Sequence, residues 1–236
     1  MITTVPPSIT TEPDSTPSSC ALPGDQRIVF RGVSWETYES LSLAQGEGDH
    51  VRLAYDGKNL EIMTTGYVHE HLKELVAAIV RAIMTWRAIS LISSREATLK
   101  DVLAKRGIQA DLSYFLDPEK LRTVREALAR ESMDLADYPF PDLAVEIDTS
   151  PSQIDRPSIY ATLKVAEVWR IQRGRKVVIE QLQADGSYAT VPLSRFLHIS
   201  AEDVHGWLTA EDVGQEDAWS RRLNQWAMGL GPVAGA

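Results

Sequence analysis

The stretch Pro141-Asp142-Leu143-Ala144-Val145-Glu146-Ile147-Asp148-Thr149-Ser150-Pro151-Ser152 alternates acidic and aliphatic residues. Side chains of a β-strand point alternately to its two faces. The stretch therefore predicts a strand with Asp142, Glu146 and Asp148 on one face and aliphatic residues against a core on the other. Carboxylates this dense repel one another, and a hard cation such as Mg²⁺, which prefers oxygen ligands, would hold them together.

Strand geometry divides the three acids. Asp142 and Glu146 lie about 13 Å apart at ~3.3 Å per residue, too far to share one Mg²⁺ with ligand distances of about 2.1 Å. Glu146 and Asp148 lie about 6.6 Å apart on one face, and Asp111 would be closer still to this face if its strand lies beside this one, at about 4.8 Å. The predicted metal ligands are Asp111 and Glu146, with Asp148 as the candidate for a third. The alternative for Asp142 is structural, as the closing residue of a turn.

Composition narrows the class of protein. The chain has 236 residues, a formal net charge of −9 and one cysteine, Cys20, which excludes an internal disulfide and a cysteine-based zinc site. This cysteine usage favours the cytoplasm. No signal-peptide pattern and no apolar run of the ~18 residues needed to span a membrane are present. The negative charge argues against a protein that coats nucleic acid, although residues 151–200 carry seven bases against four acids.

Three segments divide the chain. Residues 1–25 are rich in Thr, Pro and Ser and predict a disordered tail, residues 26–230 a single domain, and residues 231–236 a flexible tail. Periodicity and capping signals predict helices at 34–41, 68–89, 117–137, 153–163, 201–208 and 216–228. Strands are predicted at 91–94, 97–99, 141–148 and 167–171, a turn followed by a strand at 107–116, and β-hairpins at 51–63 and 176–191. This mixture predicts an α/β fold, a mixed β-sheet flanked by helices with β-hairpin additions.

Six short motifs occur in register over most of the chain. They are Tyr55-Asp56-Gly57 with Leu60-Glu61-Ile62-Met63, His69-Glu70, Gly107-Ile108-Gln109-Ala110-Asp111, Pro141 to Ile147, Ser150-Pro151-Ser152, and Tyr160-Ala161 with Val165-Ala166-Glu167-Val168-Trp169. On these motifs the span 33–226 resembles the Uma-two (Uma2) family, which belongs to the PD-(D/E)XK nuclease superfamily. The resemblance implies a restriction-endonuclease-like fold, a nuclease site that uses Mg²⁺ or Mn²⁺, DNA as substrate, and a homodimer, since cutting both strands needs two sites.

Two positions depart from the family pattern. Asp148 stands where the Glu-x-Lys element has its lysine, and Arg156 stands where the family has an alternative helical lysine. A guanidinium stays protonated and cannot act as a general base, but it can hold a phosphate through two hydrogen bonds. The alternative for Arg156 is an ion pair with Asp155 or another nearby acid.

The helix predicted at 68–89 carries a further candidate, Glu70, near its start. In the superfamily that the chain resembles, a helical acid can orient a metal-bound water. The alternative is an exposed first-turn acid that favours the helix dipole.

The sequence leaves the roles of several aromatic and basic residues open. Tyr160 and Trp169 are more typical of a core than of a base-stacking surface. Arg170 is more typical of a solvated face or a guarded strand edge. Trp219 and Trp226, in the last predicted helix, indicate either internal packing or a dimer contact.

Two functions remain open from the sequence. In the first, a metal-dependent endonuclease, Asp111, Glu146, Arg156 and Glu70 carry out the attack of water on DNA. In the second, the chain keeps the nuclease fold and its acids without turnover and acts as a nucleic-acid-binding or assembly module. A short distance from Arg156 to the acids would favour the first.

Overall fold

The computed structural model describes residues 25–45, 51–94 and 97–233. The predicted tails at 1–25 and 231–236 lie outside these ranges, apart from Asp25 and residues 231–233. The helices and strands follow one another as β1 (Gln26–Arg31), α1 (Trp35–Ala44), β2 (Val51–Tyr55), β3 (Asn59–Thr64), α2 (Tyr67–Trp86), β4 (Ile92–Ser93), β5 (Thr98–Asp101), β6 (Arg106–Gln109), β7 (Leu112–Phe115), α3 (Pro118–Ala129), β8 (Leu143–Asp148), α4 (Arg156–Thr162), β9 (Glu167–Gln172), β10 (Val177–Leu182), β11 (Tyr188–Val191), α5 (Ala201–Leu208) and α6 (Glu216–Leu230).

The strands form two sheets. The first has the order β1-β3-β2-β6-β5 and is antiparallel throughout. The second has the order β11-β10-β9-β8-β7-β4 and is mixed, because β8 and β9 are parallel while its other neighbours are antiparallel. The predicted α/β class with a mixed sheet and flanking helices is confirmed, with a separate antiparallel sheet in addition.

Both predicted hairpins are present. At the turn between β2 and β3, the Asp56 carboxylate accepts hydrogen bonds from the backbone N–H groups of Lys58 and Asn59, at 3.0 and 2.7 Å. Gly57 takes a φ of +91°, which a residue without a Cβ adopts at little cost. The Asp-Gly signal in the sequence therefore has a direct local cause.

The acidic stretch forms β8, near the middle of the mixed sheet, and its two faces meet different surroundings. Leu143, Val145 and Ile147 pack in a core built with α2, α5 and α6. Ala144 faces the other way, into a core shared with α4 and the first sheet. Glu146 and Asp148 have the parity of Ala144, so β8 directs its acids toward α4 and the first sheet.

Residues 107–116, predicted as a turn and one strand, form two strands in different sheets. β6 pairs with β2 and β5, whereas β7 pairs with β8. Ala110 and Asp111 are buried at the crossing between the sheets. The prediction of one strand was wrong because nearly every residue of this stretch is buried, so no change of periodicity marks the break. Leu112 pairs with Val145, which brings Asp111 beside β8.

Helix α4 begins later than predicted. Asp155 caps it by accepting a hydrogen bond from the backbone N–H of Ser158 at 3.1 Å, which sets Arg156 as its first residue. The preceding residues instead contact the first sheet, where Ser152 and the backbone N–H of Gln153 donate to Glu61 at 2.9 Å each.

The tryptophans of α6 serve internal packing. Trp219 packs edge-on against Trp207 with ring centroids 6.1 Å apart, and Trp226 lies 5.4 Å from the same ring. The packing alternative for these residues is therefore present within the chain.

Candidate functional site

Four carboxylates converge between the two sheets and the first turn of α4. This acid cluster consists of Glu61 on β3, Asp111 at the sheet crossing, and Glu146 and Asp148 on β8. The first three residues are at most 1% exposed, whereas the Asp148 side chain is 15% exposed. The cluster therefore opens to solvent on the side of Asp148.

Arg156 lies at the centre of the cluster. Its Nη1 donates to Glu146 at 2.6 Å and to Asp148 at 3.4 Å, and its Nε lies 3.7 Å from a carboxylate oxygen of Glu61. The side chain is 2% exposed, yet its Nε has no hydrogen-bond partner among the described residues. A buried guanidinium costs several kcal/mol in desolvation unless acids surround it, and here three acids do.

Glu146 is the most enclosed acid of the cluster. It accepts one hydrogen bond from Arg156 and another from the Tyr160 hydroxyl. Burial raises the pKa of Glu146 to about 7, against the opposing effect of Arg156, and the charges of Asp111 and Asp148 add to the rise. Protonation of this carboxyl is therefore accessible near neutral pH.

Asp111 is held by a histidine and by the backbone of β8. Its Oδ2 accepts from the Ile147 N–H at 2.7 Å, and its Oδ1 lies 2.8 Å from Nε2 of His69. The other ring nitrogen of His69 lies 3.0 Å from Asp25, so the buried imidazole bridges two carboxylates. Arg52 adds a second cation at 3.7 Å from Asp111.

The carboxylates on either side set the charge of His69. Burial alone would lower its pKa, but hydrogen bonds and charges from Asp111 and Asp25 raise the pKa of His69 to about 9. In return, His69 outweighs the effect of burial on Asp111 and holds the pKa of that carboxyl below its usual value. The pair is therefore an imidazolium and a carboxylate at neutral pH.

Two more arginines meet at the open side of the cluster. Arg27 of β1 donates to Glu61 at 2.7 Å, to Asp148 at 3.1 Å and to Ser150 at 3.0 Å. Arg170 of β9 contacts the other oxygen of Asp148 at 3.4 Å. Asp148 thus accepts from arginines of β1, α4 and β9.

A family model described as "Putative restriction endonuclease", Uma2, matches residues 35–211. This is most of the chain. The chain belongs to the Uma2 family. No curated protein matches it. The matched span contains the whole acid cluster and α4 but begins after β1.

Membership of Uma2 suggests a nuclease with nucleic acid as its substrate. Within the described ranges, no helix is long and apolar enough to cross a membrane.

The structure brings four of the predicted site residues together. Asp111, Glu146, Asp148 and Arg156 lie in one cluster, and the neighbour of Arg156 in the chain, Asp155, is occupied as the helix cap. The ion-pair alternative for Arg156 is thus present too, with acids of the cluster as the partners.

Glu70 stands apart from this arrangement. It forms an ion pair with Lys73 on the same helix, and the residue of this turn that reaches Asp111 is the adjacent His69. Successive helical residues differ by about 100° in direction, so both cannot point into the cluster.

Asp142 closes the loop before β8. Its carboxylate accepts from the N–H groups of Leu116 and Asp117 at 2.8 Å each, and Lys120 pairs with it at 2.7 Å. This agrees with its structural alternative.

Several site residues had no assigned role in the sequence. Glu61 and His69 occur in the motifs of the Uma2 resemblance, which was the available signal for them. Tyr160 was predicted as core and is buried, but its hydroxyl donates to Glu146. Arg170 was predicted on a solvated face, whereas it is 9% exposed. Arg27 carried no signal, because its partner Asp148 is 121 positions away.

The cluster offers oxygen ligands, the type that a hard cation prefers. These oxygens, however, already contact cationic side chains of the chain. Asp111, Glu146 and Asp148 offer carboxylate oxygens, the ligands that Mg²⁺ and Mn²⁺ prefer. Each of the three contacts an arginine or His69 of the chain. Within the described residues, no group of three His, Cys, Asp or Glu side chains is arranged as a metal centre. A divalent ion at this site would therefore compete with guanidinium groups.

Proposed function

We propose that this protein is a metal-dependent endonuclease that hydrolyses DNA phosphodiester bonds at the acid cluster. The observation that carries the proposal is the convergence of Glu146, Asp148 and Arg156, at 2.6 and 3.4 Å, beside Asp111 in a Uma2 chain. Asp111 and Glu61 reach the cluster from elements distant in sequence, and burying Glu61, Asp111 and Glu146 costs free energy that a stable core does not require.

Asp111, Glu146 and Asp148 would hold the ion, Mg²⁺ or Mn²⁺. When bound, it would lower the pKa of a water and neutralise charge that develops on the phosphate. His69 keeps Asp111 ionised and aimed at the cluster, and Tyr160 fixes the orientation of Glu146. The chain itself thus prepares the ligands.

The arginines supply the positive charge that a lysine supplies in the family pattern. Arg156 cannot take a proton from water, so its role is electrostatic. Beside Asp148, the Arg170 side chain is 11% exposed, and its Nη2 has no hydrogen-bond partner among the described residues. A phosphate oxygen of DNA bound beside Asp148 would accept from it.

One observation supports a second candidate, a Uma2 protein that binds nucleic acid or assembles without cutting. The acids of the cluster are already paired with cations of the chain. A site that is stable in this form gains less from a divalent ion than a site of unpaired carboxylates.

Nicking of supercoiled plasmid with Mg²⁺ or Mn²⁺ tests the proposal. Glu146→Gln keeps the size of the side chain and removes its charge, and it should reduce nicking at least ~10³-fold, the scale for a group that stabilises developing charge. The matched control is Glu126→Gln on α3, an exposed residue that should retain full activity.

Thermal unfolding of both variants should separate loss of chemistry from loss of fold. Equal nicking by wild type and Glu146→Gln would sink the site. A wild type that binds DNA but fails to nick with either metal, across supercoiled, linear and single-stranded substrates, would support the second candidate.

A further inference from the structure

The first strand, β1, buries charge and exposes apolar side chains. Asp25, just before it, is 6% exposed and the Arg27 side chain 3%. Ile28 and Phe30, on the opposite parity, are 59% and 49% exposed. A strand selected for packing alone would place these residues the other way round. On the inward parity, which also carries the half-buried Val29, Asp25 and Arg27 are therefore enclosed for polar contacts.

Arg27 uses three nitrogens to join parts of the site that come from different elements. Nη1 donates to Glu61 on β3, Nη2 to Asp148 at the end of β8, and Nε to Ser150 in the loop that follows. The planar fork of a guanidinium fixes the relative positions of its acceptors. Asp148 is consequently held against both β3 and the loop.

Asp25 acts on the other side of the cluster. It accepts hydrogen bonds from Thr149 and from the backbone N–H of Gly66, and it lies 3.0 Å from Nδ1 of His69. The opposite nitrogen of His69 contacts Asp111. A carboxylate that fixes one ring nitrogen orients the whole imidazole, and thereby the group on its other side.

We infer that Asp25 and Arg27 are positioning residues that complete the nuclease site from outside the matched family span. Asp25 orients Asp111 through His69, and Arg27 orients Asp148. The inference rests on the proposed function. It assigns to β1 a role that the Uma2 match, which begins at residue 35, does not cover.

Three variants test the assignment in the full chain: Asp25→Asn, Arg27→Met and the matched control Arg31→Met. Arg31 shares the strand and the parity of Arg27 but is exposed. Asp25→Asn should weaken Mn²⁺ binding, measured by calorimetry, by about tenfold and should lower kcat for nicking by about 10–100-fold.

Arg27→Met should lower kcat by a similar factor and leave Mn²⁺ affinity undiminished, because it removes both an orienting group and a competing cation. KM for DNA should stay within about threefold in both variants, since neither residue lies at the proposed phosphate contact. Arg27→Lys should recover part of the lost kcat, because one ammonium can reach one of the two acids.

The outcomes separate the two claims. If the wild type neither binds Mn²⁺ nor nicks DNA, the proposed function and the inference both fall. If the wild type is active and Asp25→Asn and Arg27→Met behave as Arg31→Met does, the inference alone falls. Losses that only follow the folded fraction, measured by thermal unfolding, would also overturn it, because they indicate a structural role. Should Arg27→Met fail to fold, Arg27→Lys and Asp25→Asn decide the matter.

Discussion

The two faces of β8 are both buried, yet they are made of opposite kinds of side chain. On one face, Leu143 and its aliphatic neighbours contribute through burial, about 1.5–3 kcal/mol for each such side chain. On the other face, Glu146 and Asp148 lose hydration, and hydrogen bonds from arginines, together with the Tyr160 hydroxyl for Glu146, offset that cost. The comparison shows that alternate residues of a single strand can have different roles, with one face stabilising the fold and the other face carrying the proposed chemistry.

Arg156→Met breaks the polar face most severely. It leaves Glu146 buried and without its guanidinium, so we expect a loss of about 3–5 kcal/mol in the free energy of unfolding. Urea denaturation measures this loss. At a pH well above 7, where burying Glu146 without Arg156 costs most, the double variant Glu146→Gln, Arg156→Met should be more stable than Arg156→Met alone, since it removes the buried carboxyl that has lost its partner. A double variant no more stable than the single one would show that the pair does not couple.

Leu143→Ala tests the aliphatic face. The side chain is fully buried in the core with α2, so its truncation should cost about 2–5 kcal/mol. Nicking per folded molecule should stay unchanged, because the altered face is not the one that carries the acids. A fall in kcat at full folding would mean that the two faces are not independent.

A pH series sharpens the comparison through His69. Its pKa is about 9 in the folded protein and near 6.5 when unfolded, so the stability it contributes is complete below pH 6.5 and is lost as pH rises through 9. At about 1.4 kcal/mol per pKa unit, the loss is on the order of 3 kcal/mol.

The groups that cause this dependence are Asp25 and Asp111, which outweigh the effect of burial on His69, and Arg52 is a further charged group 3.7 Å from Asp111. Urea unfolding at pH 6.5 and 9.5 should show the fall for the wild type and a flatter dependence for His69→Gln. His198→Gln, at an exposed site, should retain the wild-type slope. Equal slopes for all three proteins would contradict the assignment.

Glu70→Gln should have the smallest effect. Its ion pair with Lys73 is an i,i+3 contact on one helix, worth about 0.2–0.5 kcal/mol. Nicking should change by less than about threefold, the range of a residue that touches neither substrate nor metal. A loss above tenfold would show that Glu70, and not only His69, contributes to the activity of the site.

Local signals accounted for most of the secondary structure and for part of the site. The Asp-Gly turn predicted the hairpin of β2 and β3, and helical periodicity predicted α2 to within a few residues. The acids of β8 were visible because strand parity is a local property. The sequence did not reveal the crossing at Asp111, because the residues around it are continuously buried. It did not reveal the role of Arg27, because a long stretch of chain separates Arg27 from Asp148. Contacts of that kind depend on the complete packing of both sheets.

The crossing at Asp111 has a mechanical consequence. The backbone leaves the antiparallel sheet at Ala110 and enters the mixed sheet at Leu112, so Asp111 connects the two sheets. If one sheet shifted over the other, the Asp111 carboxylate would be displaced relative to Glu146. Since a misplacement of about 1 Å can cost a catalyst 10²-fold in rate, the proposed activity would depend on how rigidly the two sheets are joined at this residue.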